Sequence, residues 1–150
     1  MKLSCLQEKL NKGLTLAGRM VGLKTTLPVL NNVLIEAKQG KLIITSTDLE
    51  IATQAIIGAK IIKGGKITIP ARLLSDFVAA NHDKKIKISL KNNILTVKSK
   101  HSLAHIRGID ASEFPLIPRI KEEPKISIPS STLLSALNKV IIAAASDDAR

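Results

Sequence analysis

The chain has 150 residues, enough for one well-buried core or for one domain and part of another. Its 45% hydrophobic content is aliphatic, with no Trp or Tyr and only Phe77 and Phe114 as rings, which excludes the aromatic platforms of sequence-tolerant single-strand binders. The 23 Lys and Arg against 12 Asp and Glu give a net charge of +11, which points to a polyanionic partner or to a lysine-rich solubilising surface, and no apolar run approaches the roughly eighteen residues of a membrane span.

In chain order, Lys2-Leu3-Ser4-Cys5 reads as a short strand, and a helix follows over residues 6–21. Leu6, Leu10, Gly13, Leu14, Ala17, Met20 and Val21 gather on one side of it, with Glu8, Asn11, Lys12, Thr15 and Arg19 opposite. VLIEA (33–37), KLIITS (41–46) and IATQAII (51–57) alternate with period two as strands. Lys66–Ile69 is a further strand that runs through Pro70, tolerated at an early helix position, into a helix over 71–80. That helix is expected to bury Leu73, Leu74, Phe77 and Val78 and to show Arg72, Ser75, Asp76 and Ala79. KIKISL (85–90), ILTVKS (94–99) and SLAHIRG (102–108) complete the series, and Gly40, Thr47-Asp48 and Asn92-Asn93 supply hairpin turns.

The unit strand–helix–strand–strand–strand therefore occurs twice, over 1–57 and 66–108. KITIPARLL (66–74) then returns as KISIPSSTLL (125–134), which opens a third copy. That copy is expected to place a strand at Ile126 and Ile128 and a helix stripe at Leu133, Leu134, Leu137, Val140 and Ile141. It stops at Ser146-Asp147-Asp148-Ala149-Arg150, with no strands to cover the stripe, and an uncovered amphipathic helix is marginal in water. The expectation is an N-terminal piece of a longer protein. Residues 1–107 hold 18 Lys/Arg against 6 Asp/Glu, and residues 108–150 hold 5 against 6. The balance shifts where Pro115, Pro118 and Pro124 cluster, so a boundary is expected near 108–124: a first domain over 1–118 and the start of a second over 119–150.

No reactive constellation stands out. His101 and His105 lie on a strand pattern, where i and i+4 are roughly 13 Å apart, too far to share a metal ion. Asp48 is expected to accept backbone N–H groups in its turn, and Cys5 to be a buried thiol. A lone cysteine and a charged N-terminus, MKLSCLQEKL, fit a cytosolic protein without a signal peptide. Gly64-Gly65 lacks the ending of a phosphate-binding loop. In the lysine run KKIKISLK (84–91), Ile86, Ile88 and Leu90 point one way and Lys85, Lys87 and Lys91 the other, away from the core.

KTTLPVLNNVLIEA (24–37), STDLEIA (46–52), ITIPARLLSDFV (67–78) and SEFPLIP (112–118) together resemble the β sliding clamp family of bacterial DNA polymerase III, in the family's order and spacing. The resemblance implies an α+β DNA-clamp fold, built of repeated β-α-β-β-β units with helices on one face of antiparallel sheets. It implies a non-catalytic processivity factor without cofactor or metal, in the bacterial cytoplasm at the nucleoid. Two head-to-tail subunits would close a ring around double-stranded DNA, sheets outside and helices lining the hole, and would hold the replicative polymerase on its template. By position, Lys24 would face DNA, with Lys12 and Arg72 as further candidates and Arg19 after them. The subunit interface would be the strand Ser102, Leu103, Ala104, His105, Ile106 and Arg107, where Ala104 replaces an aromatic common in the family. DNA polymerase and clamp loader would bind mainly to portions outside these residues. A free-standing nucleic-acid binding module would explain the charge but not the unfinished third copy, and an enzyme would require a reactive cluster.

Overall fold

The computed structural model describes residues 1–21, 27–118 and 126–144. Its contacts divide the chain into two units, Met1–Ile117 and Pro118–Arg150. The first unit contains β1 (Lys2–Leu6), α1 (Gln7–Gly18), β2 (Asn32–Lys38), β3 (Lys41–Thr47), β4 (Ala52–Gly58), β5 (Lys60–Lys63), β6 (Gly65–Pro70), α2 (Ala71–Ala79), β7 (Lys85–Lys91), β8 (Ile94–Lys98) and β9 (Leu103–Arg107). Two of the hairpin turns expected from sequence take left-handed backbone at both central residues, Gln39-Gly40 and Asn92-Asn93, the geometry that matches the twist of the flanking strands. The third turn is held by side chains. Asp48 Oδ1 accepts from the backbone N–H groups of Glu50 and Ile51 at 3.0 and 2.7 Å, and Thr47 Oγ1 donates to the Ile51 carbonyl at 2.9 Å.

The repeat is folded by exchange. One sheet has the order β5-β1-β7-β8-β9 and the other β4-β3-β2-β6, all pairings antiparallel. Each copy's first strand thus leaves its own meander and pairs with the other's: β1 lies against β7, and β6 against β2. The two halves are related as β1 to β6, β2 to β7, β3 to β8 and β4 to β9. The symmetry extends one step further. The segment after β4 forms β5 on the outer side of β1, and the segment after β9 reaches the outer side of β6 as a single bridge, Thr68 to Ile109. That bridge is double: Thr68 N donates to the Ile109 carbonyl at 3.1 Å, and Ile109 N to the Thr68 carbonyl at 3.0 Å, with Thr68 Oγ1 adding a bond of 2.8 Å to the Ile109 carbonyl. Residues 109–114, which charge and prolines mark as the start of a linker, therefore close this unit, and Ala111 and Phe114 are buried.

Both helices and both sheets share one aliphatic core, including Leu3, Leu10, Leu14, Ile35, Ile44, Ile69, Leu74, Val78, Ile88 and Leu95. Cys5 is buried within it, and burial pushes its thiol up to about 11, so it is inert at neutral pH. Two expected core residues are exposed. Leu6 ends β1 on the same face as Lys2 and Ser4, since strand alternation buries Leu3 and Cys5 instead. Leu73 is 59% exposed because α2 packs along Ala71, Leu74 and Val78, and Leu73 stands a hundred-degree step away from that line.

In the second unit, α3 (Ser130–Val140) forms as expected, with its stripe Leu133, Leu134, Leu137 and Val140 exposed. Residues 126–129 form no strand. A strand's backbone groups are satisfied only by a neighbouring strand, and among the described residues none pairs with them.

The turn before β7 carries a titrating contact. Asp83 accepts from the backbone N–H groups of Lys100 and His101 at 2.9 and 3.1 Å, and its Oδ1 lies 3.1 Å from His101 Nδ1. The Ser99 hydroxyl foremost, then the backbone and ring of His101, hold the Asp83 carboxyl down at about 2. A carboxyl with a lower pKa in the folded than in the unfolded state contributes stability above its unfolded pKa and loses it as pH falls through the folded value. Asp83→Asn is therefore expected to lower the urea midpoint at pH 6, and this deficit should shrink between about pH 4 and pH 2. A deficit independent of pH would contradict the contact.

Candidate nucleic-acid interface

The antiparallel exchange brings α1 and α2 together as neighbours running in opposite directions. The start of α1 meets the end of α2, where Gln7 Nε2 donates to the Val78 carbonyl at 2.7 Å. At the other end the two helices enclose a shallow depression lined by Leu14, Thr15, Gly18 and Val21 on one side and by Ala71, Arg72, Ser75 and Asp76 on the other. Small residues at 18, 71 and 75 let the backbones approach there. Ser46 of β3 fixes the end of α1 by donating its hydroxyl to the Ala17 carbonyl at 2.7 Å.

The exposed face of α1 carries Glu8, Lys9, Lys12, Thr15, Leu16 and Arg19, and that of α2 carries Arg72, Asp76 and Ala79. Arg19 follows α1 and Arg72 opens α2, so the opposed directions put both at one end of the helix pair. Lys12 Nζ lies 2.7 Å from Glu8 Oε1, and Arg72 Nε 3.8 Å from Asp76 Oδ2. Both pairs are exposed, and pairs of this kind contribute little to stability. Their cations are held loosely enough to exchange a carboxylate for a passing phosphate. Lys24 lies outside the described residues. Lys9, absent from the sequence expectation, shares the exposed stripe of α1 with Lys12 and Arg19; its spacing from Lys12 was the available signal.

β9 is the edge of the five-stranded sheet, paired with β8 on one side and with no strand of the described residues on the other. Of the expected interface strand, Ser102 precedes it, Leu103, His105 and Arg107 are exposed, Ala104 is half-buried and Ile106 is buried. An open edge of this kind is a template for strand addition. His105 Nδ1 lies 3.0 Å from Thr96 Oγ1, whereas His101 turns to Asp83, so the two histidines have separate partners. Among the described residues no three His, Cys, Asp or Glu side chains converge as metal ligands, and no helix is long and apolar enough to cross a membrane.

A doubled β-α-β-β-β unit, with its two helices side by side on a shell of antiparallel sheets, defines the DNA-clamp class of fold. The family model for the DNA polymerase III beta subunit, N-terminal domain, matches residues 1–118, and the chain belongs to that family. It is 35% identical to the beta sliding clamp of Synechocystis and 32% identical to that of Synechococcus elongatus; each comparison covers 100% of this chain and 41% of the relative. Among solved structures, the DNA polymerase III subunit beta of Pseudomonas aeruginosa superposes with a TM-score of 0.89 at 30% identity, over 100% of this chain and 41% of that one. The DNA polymerase sliding clamp of Bacillus subtilis has the same fold, with a TM-score of 0.93 at 24% identity, over 100% of this chain and 42% of that one. The chain thus spans about two fifths of the length of these relatives.

Proposed function

We propose that these residues form the first part of a sliding clamp, a processivity factor that encircles duplex DNA and tethers a replicative DNA polymerase without itself catalysing a reaction. The observation that carries this reading is the α1–α2 wall: two adjacent helices with sparse, weakly paired cations, in a chain of the DNA polymerase III beta subunit family. Each fixed phosphate contact adds about 0.9 to the log–log salt dependence of binding, so a ring that slides needs few of them and no contact with base edges. Lys24, Lys12, Arg72 and Arg19 are the residues assigned to the duplex. The open edge of β9 is assigned to a second subunit, joined head to tail by strand addition. Polymerase and clamp loader are the further partners, in the bacterial cytoplasm.

A chimera in which residues 1–118 replace the matching domain of the Synechocystis clamp tests this. It is expected to stay on nicked circular DNA after loading and to run off once the circle is cut. In that chimera Lys24→Ala should shorten retention while changing stability by no more than about 0.5 kcal/mol. Retention unaffected by cutting the circle would contradict encirclement, and unchanged retention of the Lys24 variant would remove that residue from the interface.

A further inference from the structure

We propose that the outer face of the five-stranded sheet is a second duplex-binding surface, one that grips phosphates from outside and needs no ring. The five strands carry Lys2, Lys60, Lys63, Lys85, Lys87, Lys91, Lys98 and Arg107 and no Asp or Glu. The other sheet carries Lys38, Lys41 and Lys66 with Glu36. All eight cations are exposed, and none belongs to an ion pair among the described residues.

Register sharpens the point. Lys60, Ser4, Lys87, Lys98 and Leu103 form one row across the sheet, in which Lys87 and Lys98 stand directly opposite each other. Lys2 is likewise opposed by Lys63. Like charges directly across a strand pair destabilise a sheet, so folding does not select them. Protection of sheet edges against aggregation accounts for lysines on β5 and an arginine on β9, but not for four lysines on the interior strands β7 and β8. On this face lies a hollow lined by Lys2, Ser4, Lys87, Ser89, Thr96 and Lys98 together with the apolar Leu3, Ile62 and Ile88. The ammonium and hydroxyl groups among these residues are of the kind that contact phosphate oxygens in nucleic-acid complexes.

The shape of the field selects the occupant. Cations extend about 20 Å along β7 and about 19 Å across the five strands. A duplex presents one charge per ~1.7 Å of axis over a broad surface and suits such a field. An extended acidic peptide is held by backbone hydrogen bonds at a sheet edge, and those of β7 and β8 are already spent within the sheet. A single strand would need aromatic platforms, and the face has none. An anionic membrane would favour a continuous apolar patch, whereas the exposed Leu6, Ile94 and Leu103 each stand opposite a cation, Lys85, Lys91 and Lys98 respectively.

The test measures binding of the 150-residue chain to a short linear duplex as a function of salt. Lys98→Glu removes one cation and sets a carboxylate opposite Lys87 that occupies a second, so this variant should melt no lower than the parent while two cations no longer face the duplex. The expected result is a salt dependence lowered by about 1.8 in log–log slope, at about 0.9 per phosphate contact, with Lys41→Ala/Lys66→Ala on the other sheet leaving the slope within half a contact of the parent. A slope unchanged by Lys98→Glu, loss of binding confined to the Lys41/Lys66 variant, or preference for polyglutamate or phosphatidylglycerol vesicles over the duplex would each overturn the proposal. Because the duplex is linear, failure here leaves the ring untouched, and failure of the ring leaves this surface standing.

Discussion

Gly108→Ala is expected to destabilise the first unit by about 3 kcal/mol, at the upper end of what overpacking produces. An added Cβ would stand 2.5 Å from the Thr68 carbonyl oxygen, 2.7 Å from Ile69 Cδ1 and 2.8 Å from Ile67 Cγ1. The first of these is backbone, and it accepts the Ile109 N–H in the double bridge that ties the end of one sheet to β6 of the other. Gly108 N donates to the Asn93 carbonyl at 2.8 Å, so the glycine is held from its own side as well. Neither partner can withdraw without breaking one of these hydrogen bonds, which costs about 1–3 kcal/mol where a buried group is left unsatisfied. Gly18→Ala is the control. Nothing lies within 4 Å of the position its Cβ would take, and the residue ends α1 with ordinary backbone angles. Removing the entropic penalty of glycine there should be neutral or gain up to about 1 kcal/mol. Urea midpoints of the two variants check the contrast, and equal midpoints would mean that the bridge beside Gly108 is not tight.

The second large effect concerns the helix wall. Leu14 is 1% exposed and lines the depression between α1 and α2. Leu14→Ala removes a fully buried isobutyl group and leaves a cavity, a change that costs about 2–5 kcal/mol. The melting temperature of the first unit should fall by on the order of 10 °C or more. Leu16, two residues along the same helix and 52% exposed, provides the comparison, and its alanine variant should lie within about 0.5 kcal/mol of the parent. If Leu16→Ala were the more damaging, the face of α1 assigned to the duplex would be the packed one.

Much of this architecture was legible in local pattern. Period-two runs marked β2, β3, β4, β7, β8 and β9 to within a residue or two at each end, and the Leu10–Leu14–Ala17 stripe marked the buried side of α1. The Asn92-Asn93 turn followed from residue chemistry, since asparagine tolerates left-handed backbone. The exchange of β1 and β6 between meanders was not legible. Alternation says which face of a strand is buried but not which neighbour it pairs with, and Ile67 and Ile69 would alternate equally well beside β7 as beside β2. β5 escaped notice because Lys60-Ile61-Ile62-Lys63 is too short to show a period, and its strand character comes from pairing with β1. Leu73 was misplaced because a helix of nine residues gives two and a half turns, too few to separate Leu73 from Leu74 by pattern alone.

Of the candidate site, residue types were readable and their grouping was not. Lys12, Arg19 and Arg72 could be assigned to outward faces from helical spacing alone. That α1 and α2 are neighbours, with Arg19 and Arg72 at one end, depends on long-range pairing that the residues of either helix do not encode locally. The row Lys60–Ser4–Lys87–Lys98 likewise joins β5, β1 and the β7–β8 hairpin, three segments far apart in sequence.

The most direct measurement places a photo-crosslinking residue at Thr15, beside the depression between the helices, in the chimeric clamp loaded on nicked circular DNA. Crosslinks from Thr15 to DNA that vanish when the circle is cut are the expected result. Crosslinks that persist on the cut molecule, or their absence from a clamp that stays loaded, would contradict a helix wall turned toward a threaded duplex.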